Sequence, residues 1–119
     1  MQRGILGTVD TLLWDAGNLH HLHDRNEARH TAQERPITRE EVDGLYDLAD
    51  YTTRDVEYLT WRGEWEVQVH LIGRTPEGRF LTVACQVSND GHYRPVTIWP
   101  SSDSEILLYW KDVADNERP

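Results

Sequence analysis

The spacing of apolar side chains divides the chain into a helical part, an extended part and a second, shorter helical part. The first apolar run, Thr11-Leu12-Leu13-Trp14, predicts a short strand leading into a helix capped by Asp15. That helix is expected over Ala16 to Gln33 with only a thin stripe of Leu19, Leu22, Ala28 and Ala32, so it has to depend on docking or on local polar pairs. Pro36 keeps it from running on. A second helix carries fuller signals. Thr38 with Glu41 makes a capping box, Ile37 with Val42 makes a hydrophobic staple, and Val42, Leu45, Tyr46 and Ala49 line one face.

Beyond Asp50 the period falls to two. Trp65, Val67, Val69 and Leu71 alternate with Glu66, Gln68 and His70, which predicts a half-buried strand. Thr75-Pro76-Glu77-Gly78 predicts a turn, Arg79 to Val87 a second strand with Leu81, Val83, Cys85 and Val87 on one face, and Asn89-Asp90-Gly91 another turn. A third strand is expected over His92 to Trp99, at an edge or with a bulge because Pro95 lacks an N–H for the ladder. Short turns make the three an antiparallel meander. Ser102 and Glu105 then form a second capping box ahead of a closing helix whose inward side is expected to be Ile106, Leu107, Trp110 and Val113, and Asp115 to Pro119 reads as a frayed tail. The expected class is α+β: a short N-terminal strand, two helices, a three-stranded antiparallel sheet and a C-terminal helix, in one domain over residues 1–119.

Composition narrows the function classes. A chain of 119 residues has room for one core, and no apolar stretch is long enough to span a bilayer or to form the apolar region of a signal peptide, so a cytoplasmic protein with no membrane contact is expected. Cys85 is the single cysteine, which rules out an internal disulfide and a thiolate zinc site, and its neighbours Val83 and Val87 mark it as a packing residue. The net charge of −9 opposes broad attraction to nucleic acid. The charge is uneven, however. From Glu34 to Glu57 eight acids face three arginines, whereas from Trp61 to Trp99 four acids face four arginines, so the second half can hold a local anion site.

The stretch Leu19-His20-His21-Leu22-His23 would put His20, His23, Asp24 and Glu27 on one helix face, but no His-Glu-x-x-His motif is present and no metal or other cofactor is expected. Gly-x-Ser-x-Gly and the Gly-rich phosphate loops are also missing. What remains is the sheet. Glu66, Gln68 and His70 share a face of its first strand, and Arg74, Arg79, His92 and Arg94 lie near strand ends and turns. Guanidinium forks that grip a phosphate, beside a histidine that moves a proton, are the minimum for cutting RNA through attack of its own 2′-hydroxyl. The same residues also suit an ordinary solvated strand surface.

The order of short motifs is more specific than any one of them. Leu13-Trp14-Asp15 with Asn18, Pro36-Ile37-Thr38-Arg39-Glu40-Glu41-Val42, Leu71-Ile72-Gly73-Arg74-Thr75, Gly78-Arg79-Phe80-Leu81 and Tyr93-Arg94-Pro95-Val96-Thr97 together resemble the BrnT family over about residues 11 to 110. That family comprises small ribonuclease toxins of type II toxin-antitoxin pairs with a RelE-like fold. The resemblance implies a metal-independent endoribonuclease acting on RNA and an antitoxin protein as partner. In it Arg94 and Arg74 hold the phosphate, Glu66 or His92 carries the proton, Tyr93 or Trp99 stacks a base, and Arg79, Gln68 and His70 contact the substrate.

Three positions depart from the family pattern. Gln68 and Trp99 stand where arginines are usual, and Arg35-Pro36 replaces a region that usually holds a histidine. Each preorganised charge contact to a phosphoryl transition state is worth roughly 2 to 4 kcal/mol, so losing two guanidiniums implies a rate lower by orders of magnitude. The alternative is a degenerate relative that keeps the fold and binds protein. Five tryptophans in so short a chain fit an interface, filled by an antitoxin or by a second copy in a homodimer.

Overall fold

The computed structural model describes residues 11–116. Its elements run α1 (Ala16–Thr31), α2 (Arg39–Asp47), β1 (Tyr51–Leu59), β2 (Trp65–Arg74), β3 (Phe80–Val87), β4 (Tyr93–Pro100) and α3 (Asp103–Asn116). The four strands form one antiparallel meander in the order β1-β2-β3-β4. The α+β class is as expected, but the sheet has four strands where three are expected, and the additional one is β1. Among the described residues no helix is long and apolar enough to cross a membrane.

The three hairpin turns share one design. Thr60, Thr75 and Ser88 each accept from the N–H of a glycine three residues on, while their hydroxyls accept from the N–H of the residue after it, Glu64, Arg79 and His92. Gly63, Gly78 and Gly91 all have φ between +79 and +89, where a side chain would be strained. Pro95 behaves as expected on both counts: β4 is an edge strand, and its register with β3 shifts at Ala84/Cys85 so that Val96 is left over as a bulge.

Register sorts the side chains into two faces. Leu71, Leu81, Val83, Cys85 and Ile98 point toward α1 and α2 and join Leu22, Ile37, Val42, Leu45 and Tyr46 in the core. Burial pushes the Cys85 thiol up to about 12, in keeping with a packing role. Ile72, Thr82 and Ala84 point the other way, beneath α3, where Phe80 meets Tyr109 edge-on at 5.2 Å.

Five local expectations need correction. Thr11 to Trp14 is not a sheet strand: its backbone is tied to the sheet by Leu13 N–H donating to the Tyr93 carbonyl at 2.9 Å. Helix α1 stops at Thr31, short of Gln33, because Gln33 turns into the left-handed region (φ 60) and the N–H groups of Gln33 and Glu34 close back on the His30 and Arg29 carbonyls. Ala49 lies past the end of α2 at φ 54, exposed, and not on its packed face. The inward side of α3 is turned by about one residue: Tyr109 and Glu105 are buried, whereas Leu107 and Trp110 are 69% and 45% exposed. Of the tail, Asp115 and Asn116 belong to α3 and residues 117–119 lie outside the described residues.

The thin apolar stripe of α1 has a polar substitute. Its buried positions are Asn18, Leu22 and Arg29. The Asn18 amide donates to the carbonyls of Leu13 and Pro95 (both 2.9 Å), and Arg29 donates to the Ile98 carbonyl (2.7 Å) and to Asn26 (2.9 Å). Asn26 in turn bonds both the N–H and the carbonyl of Ile37. The helix is therefore docked by side chains that satisfy main-chain groups which α1 itself buries.

Candidate functional site

The sheet separates the two arginines meant to share a phosphate. Arg74 pairs with Phe80 at one end of β3 and Arg94 pairs with Gln86 at the other. Six residue steps of about 3.3 Å put them roughly 20 Å apart. The two grooves that Arg94 lines do not include Arg74.

Each sheet arginine of the expected set is instead tied to a carboxylate from the helical half of the chain. Arg94 forms a fork on Asp15, the residue that caps α1, at 2.7 and 3.1 Å, and reaches Gln86 at 3.2 Å. The Arg94 fork, with help from the Asn18 N–H, holds the Asp15 carboxyl down to about 2. Arg79 is largely buried and donates to Glu41 at 3.2 Å and to the Pro36 and Arg35 carbonyls at 2.7 and 3.2 Å. Burial raises the Glu41 carboxyl, but the Thr38 N–H and the Arg79 guanidinium outweigh it and leave it below the usual range. Arg74 donates to Asp50 at 3.1 Å and lies over the rings of Tyr109 and Trp110 at 5.4 and 5.2 Å, while the Tyr109 hydroxyl donates to the other Asp50 oxygen.

The remaining members scatter. His70 is buried under α3, edge-on to Trp99 at 5.3 Å, and its Nδ1 has no hydrogen-bond partner. Burial first, then the Arg54 charge, lowers its pKa against the opposing pull of Glu105, so it sits there as neutral imidazole. Trp99 donates to Glu105 at 3.1 Å. His92 is in the β3–β4 turn, 3.3 Å from Asp90. Tyr93 meets Tyr46 edge-on at 6.1 Å at the margin of the core.

Two members do meet. Pairing between β2 and β3 ends at Val69↔Cys85, so the start of β2 stands away from the end of β3. Glu66, Gln86 and Arg94 line the groove that opens there, with Val67, Val87 and Leu13 as its apolar wall. Tyr58, across the β1–β2 pair, donates to Glu66 at 3.2 Å; partial burial and then the Glu66 carboxylate push its hydroxyl up, so it stays a donor. Gln68 faces the same side. Tyr58 and Gln86 were not among the expected site residues, although their parity in register with Glu66 and Arg94 is the signal that marks them. On α1, the histidines pair locally, His20 with Asp24 at 3.2 Å and His23 with Glu27 at 3.8 Å, all four exposed.

The open end of the sheet also carries apolar side chains that the periodicity would have buried. Trp65 is 70% and Val67 54% exposed, with Leu59 opposite Trp65 and Trp61 in the turn between them. The β1–β2 hairpin extends past the layer formed by α1 and α2, so a strand that alternates regularly is covered only along part of its length. Comparison with protein-family models, with curated proteins and with solved structures gives no match for this chain.

Proposed function

We propose that this chain is a BrnT-like domain without an assembled nuclease centre, working in the cytoplasm as a protein-binding module through the open end of its sheet. The observation that carries the reading is the pairing of Arg94, Arg79 and Arg74 with Asp15, Glu41 and Asp50. A guanidinium already forked by a carboxylate has to break that pair before it can hold a phosphate, and two of the three are about the length of a strand apart. Exposed tryptophans beside a strand edge that is unpaired among the described residues are, by contrast, what a protein interface uses. An antitoxin-like protein is the class of partner this reading favours.

One observation favours the second reading, a BrnT-like ribonuclease toxin neutralised by an antitoxin. Glu66 and Arg94 line the same groove, and one carboxylate beside one guanidinium is a reduced acid–base site. Expression of the chain alone, followed by growth and RNA integrity, separates the two. Unchanged growth with intact RNA is the expected result; arrest that disappears in Arg94→Ala would establish the nuclease instead.

A further inference from the structure

The outer side of β1 has no strand partner among the described residues, and β1 is nine residues long with neither Pro nor Gly to interrupt it. Such an edge invites either aggregation or deliberate strand addition. Its side chains decide which. On the face shared with α1 and α2, Asp55, Glu57 and Leu59 are exposed, opposite Val69, Val67 and Trp65. Among the described residues no cation pairs with Asp55 or Glu57.

A second copy of the chain is a poor occupant. Antiparallel self-pairing about a two-fold axis centred on Asp55 sets Asp55 against Asp55, and one centred on Val56 sets Asp55 against Glu57. Centring on Arg54 or Glu57 sets each against itself. Like charges directly opposite destabilise a pair, and the net charge of −9 adds repulsion between copies. A cationic strand meets none of these penalties.

We infer that the outer edge of β1 accepts an extended segment of a partner protein as an additional strand, with Lys or Arg opposite Asp55 and Glu57 and an apolar side chain opposite Leu59, where Trp65 and Val67 continue the apolar contact. The main chain supplies the pairing and the alternate side chains supply the choice of partner. The inference rests on the binding-module reading and names the chemistry of the partner.

The test uses the full chain and two synthetic peptides of alternating Val and Thr, one with Lys at two alternate positions and the other with Glu there. Binding is followed by amide shifts and hydrogen exchange of Tyr51–Leu59. Two surface ion pairs amount to about tenfold in affinity, so the Lys peptide is expected to bind about tenfold more tightly than the Glu peptide and to protect the β1 amides. In Asp55→Lys/Glu57→Lys, two exposed substitutions, the preference is expected to invert. Equal affinity for the two peptides overturns the inference. So does Lys-peptide binding without protection of β1, which is mere attraction to an acidic chain, and so does concentration-dependent protection of β1 with no peptide, which is self-association. RNA cleavage by the same preparation would instead remove the binding-module reading while leaving the peptide result to be judged separately.

Discussion

The two ends of the sheet are built to different rules. At the end where β2 meets β3 through Arg74↔Phe80, polar groups are interlocked: Asp50 takes Arg74 and Tyr109, Arg79 holds Glu41 and the α1–α2 loop, and Thr82 meets Ser101 at 2.8 Å. At the other end the β1–β2 hairpin projects with Leu59, Trp61 and Trp65 in solvent and β3 no longer paired to β2. The contrast is one of satisfaction: at the closed end the polar groups of the Ile72-Gly73-Arg74 and Arg79-Phe80 motifs are used up in making the fold, whereas at the open end regular strand and turn patterns leave apolar side chains uncovered.

The comparison breaks first at Gly73. A Cβ there would lie 2.1 Å from the Asp50 carbonyl and 2.7 Å from the Tyr51 Cα, both backbone, so nothing flexible can move aside. Gly73→Ala is expected to cost more than about 3 kcal/mol and to leave little folded chain, measured by urea denaturation. The glycine of the Ile72-Gly73-Arg74 motif is there because β1 starts across its Cα, and Arg74 N–H donates to the same Asp50 carbonyl at 3.0 Å.

Next in size is Arg79→Met, which keeps most of the side-chain volume and removes the guanidinium. It leaves a largely buried Glu41 with only the more exposed Arg35 at 3.5 Å as its cation and the Pro36 carbonyl without a donor, at an expected cost of about 2 kcal/mol. If Arg79 were a substrate ligand, stability would be unchanged or would rise. Equilibrium unfolding at neutral pH distinguishes the two outcomes.

His70 gives a smaller effect with a pH signature. Its folded pKa lies below the ordinary 6.5, so between these two values the unfolded chain binds more protons and stability falls as pH falls. Asp15, Glu41 and Glu105, whose folded pKa values are lowered, lose their contribution only as pH falls through the carboxylate range. His70→Leu is expected to flatten the loss that begins just below pH 6.5 and to leave the deeper acid limb in place, read from denaturation midpoints across pH 7.5 to 4. A wild-type slope retained in the variant would assign that limb to another group.

What was legible in the sequence follows the same division. Both of the expected capping boxes formed: Thr38 with Glu41, and Ser102 with Glu105. The helices, the later three strands and the bulge at Pro95 followed from local rules. Strand β1 was hidden because Thr53, Asp55 and Glu57 present polar groups where a half-buried strand would alternate, yet Thr60-Trp61-Arg62-Gly63 repeats the turn pattern of Thr75–Gly78 and Ser88–Gly91 and marks its hairpin. The face of α3 differs from the apolar stripe because Glu105 and Tyr109, both polar-tipped, are the buried residues: Glu105 is satisfied by Trp99 and Ser102 close before it, and Tyr109 by Asp50, 59 residues away. For the site the obstacle was distance: Asp15 is 79 residues from Arg94, and Glu41 is 38 from Arg79. No local pattern reveals that an arginine near a strand end already has its acid.

The smallest expected effect is also the sharpest test of the comparison. Trp65→Ser removes the exposed ring directly opposite Leu59 at the open end, and since Trp65 is 70% in solvent it contributes little to the folded state. A change within about 0.5 kcal/mol is expected, against the several kcal/mol at Gly73, although by residue type alone tryptophan would be the costlier loss. The same substitution should diminish any complex formed along β1, because Trp65 and Val67 extend the apolar contact begun by Leu59. A loss of 2 kcal/mol or more in Trp65→Ser would mean that the hairpin tip is packed in solution, and with it the contrast between a stapled end and an open one would disappear.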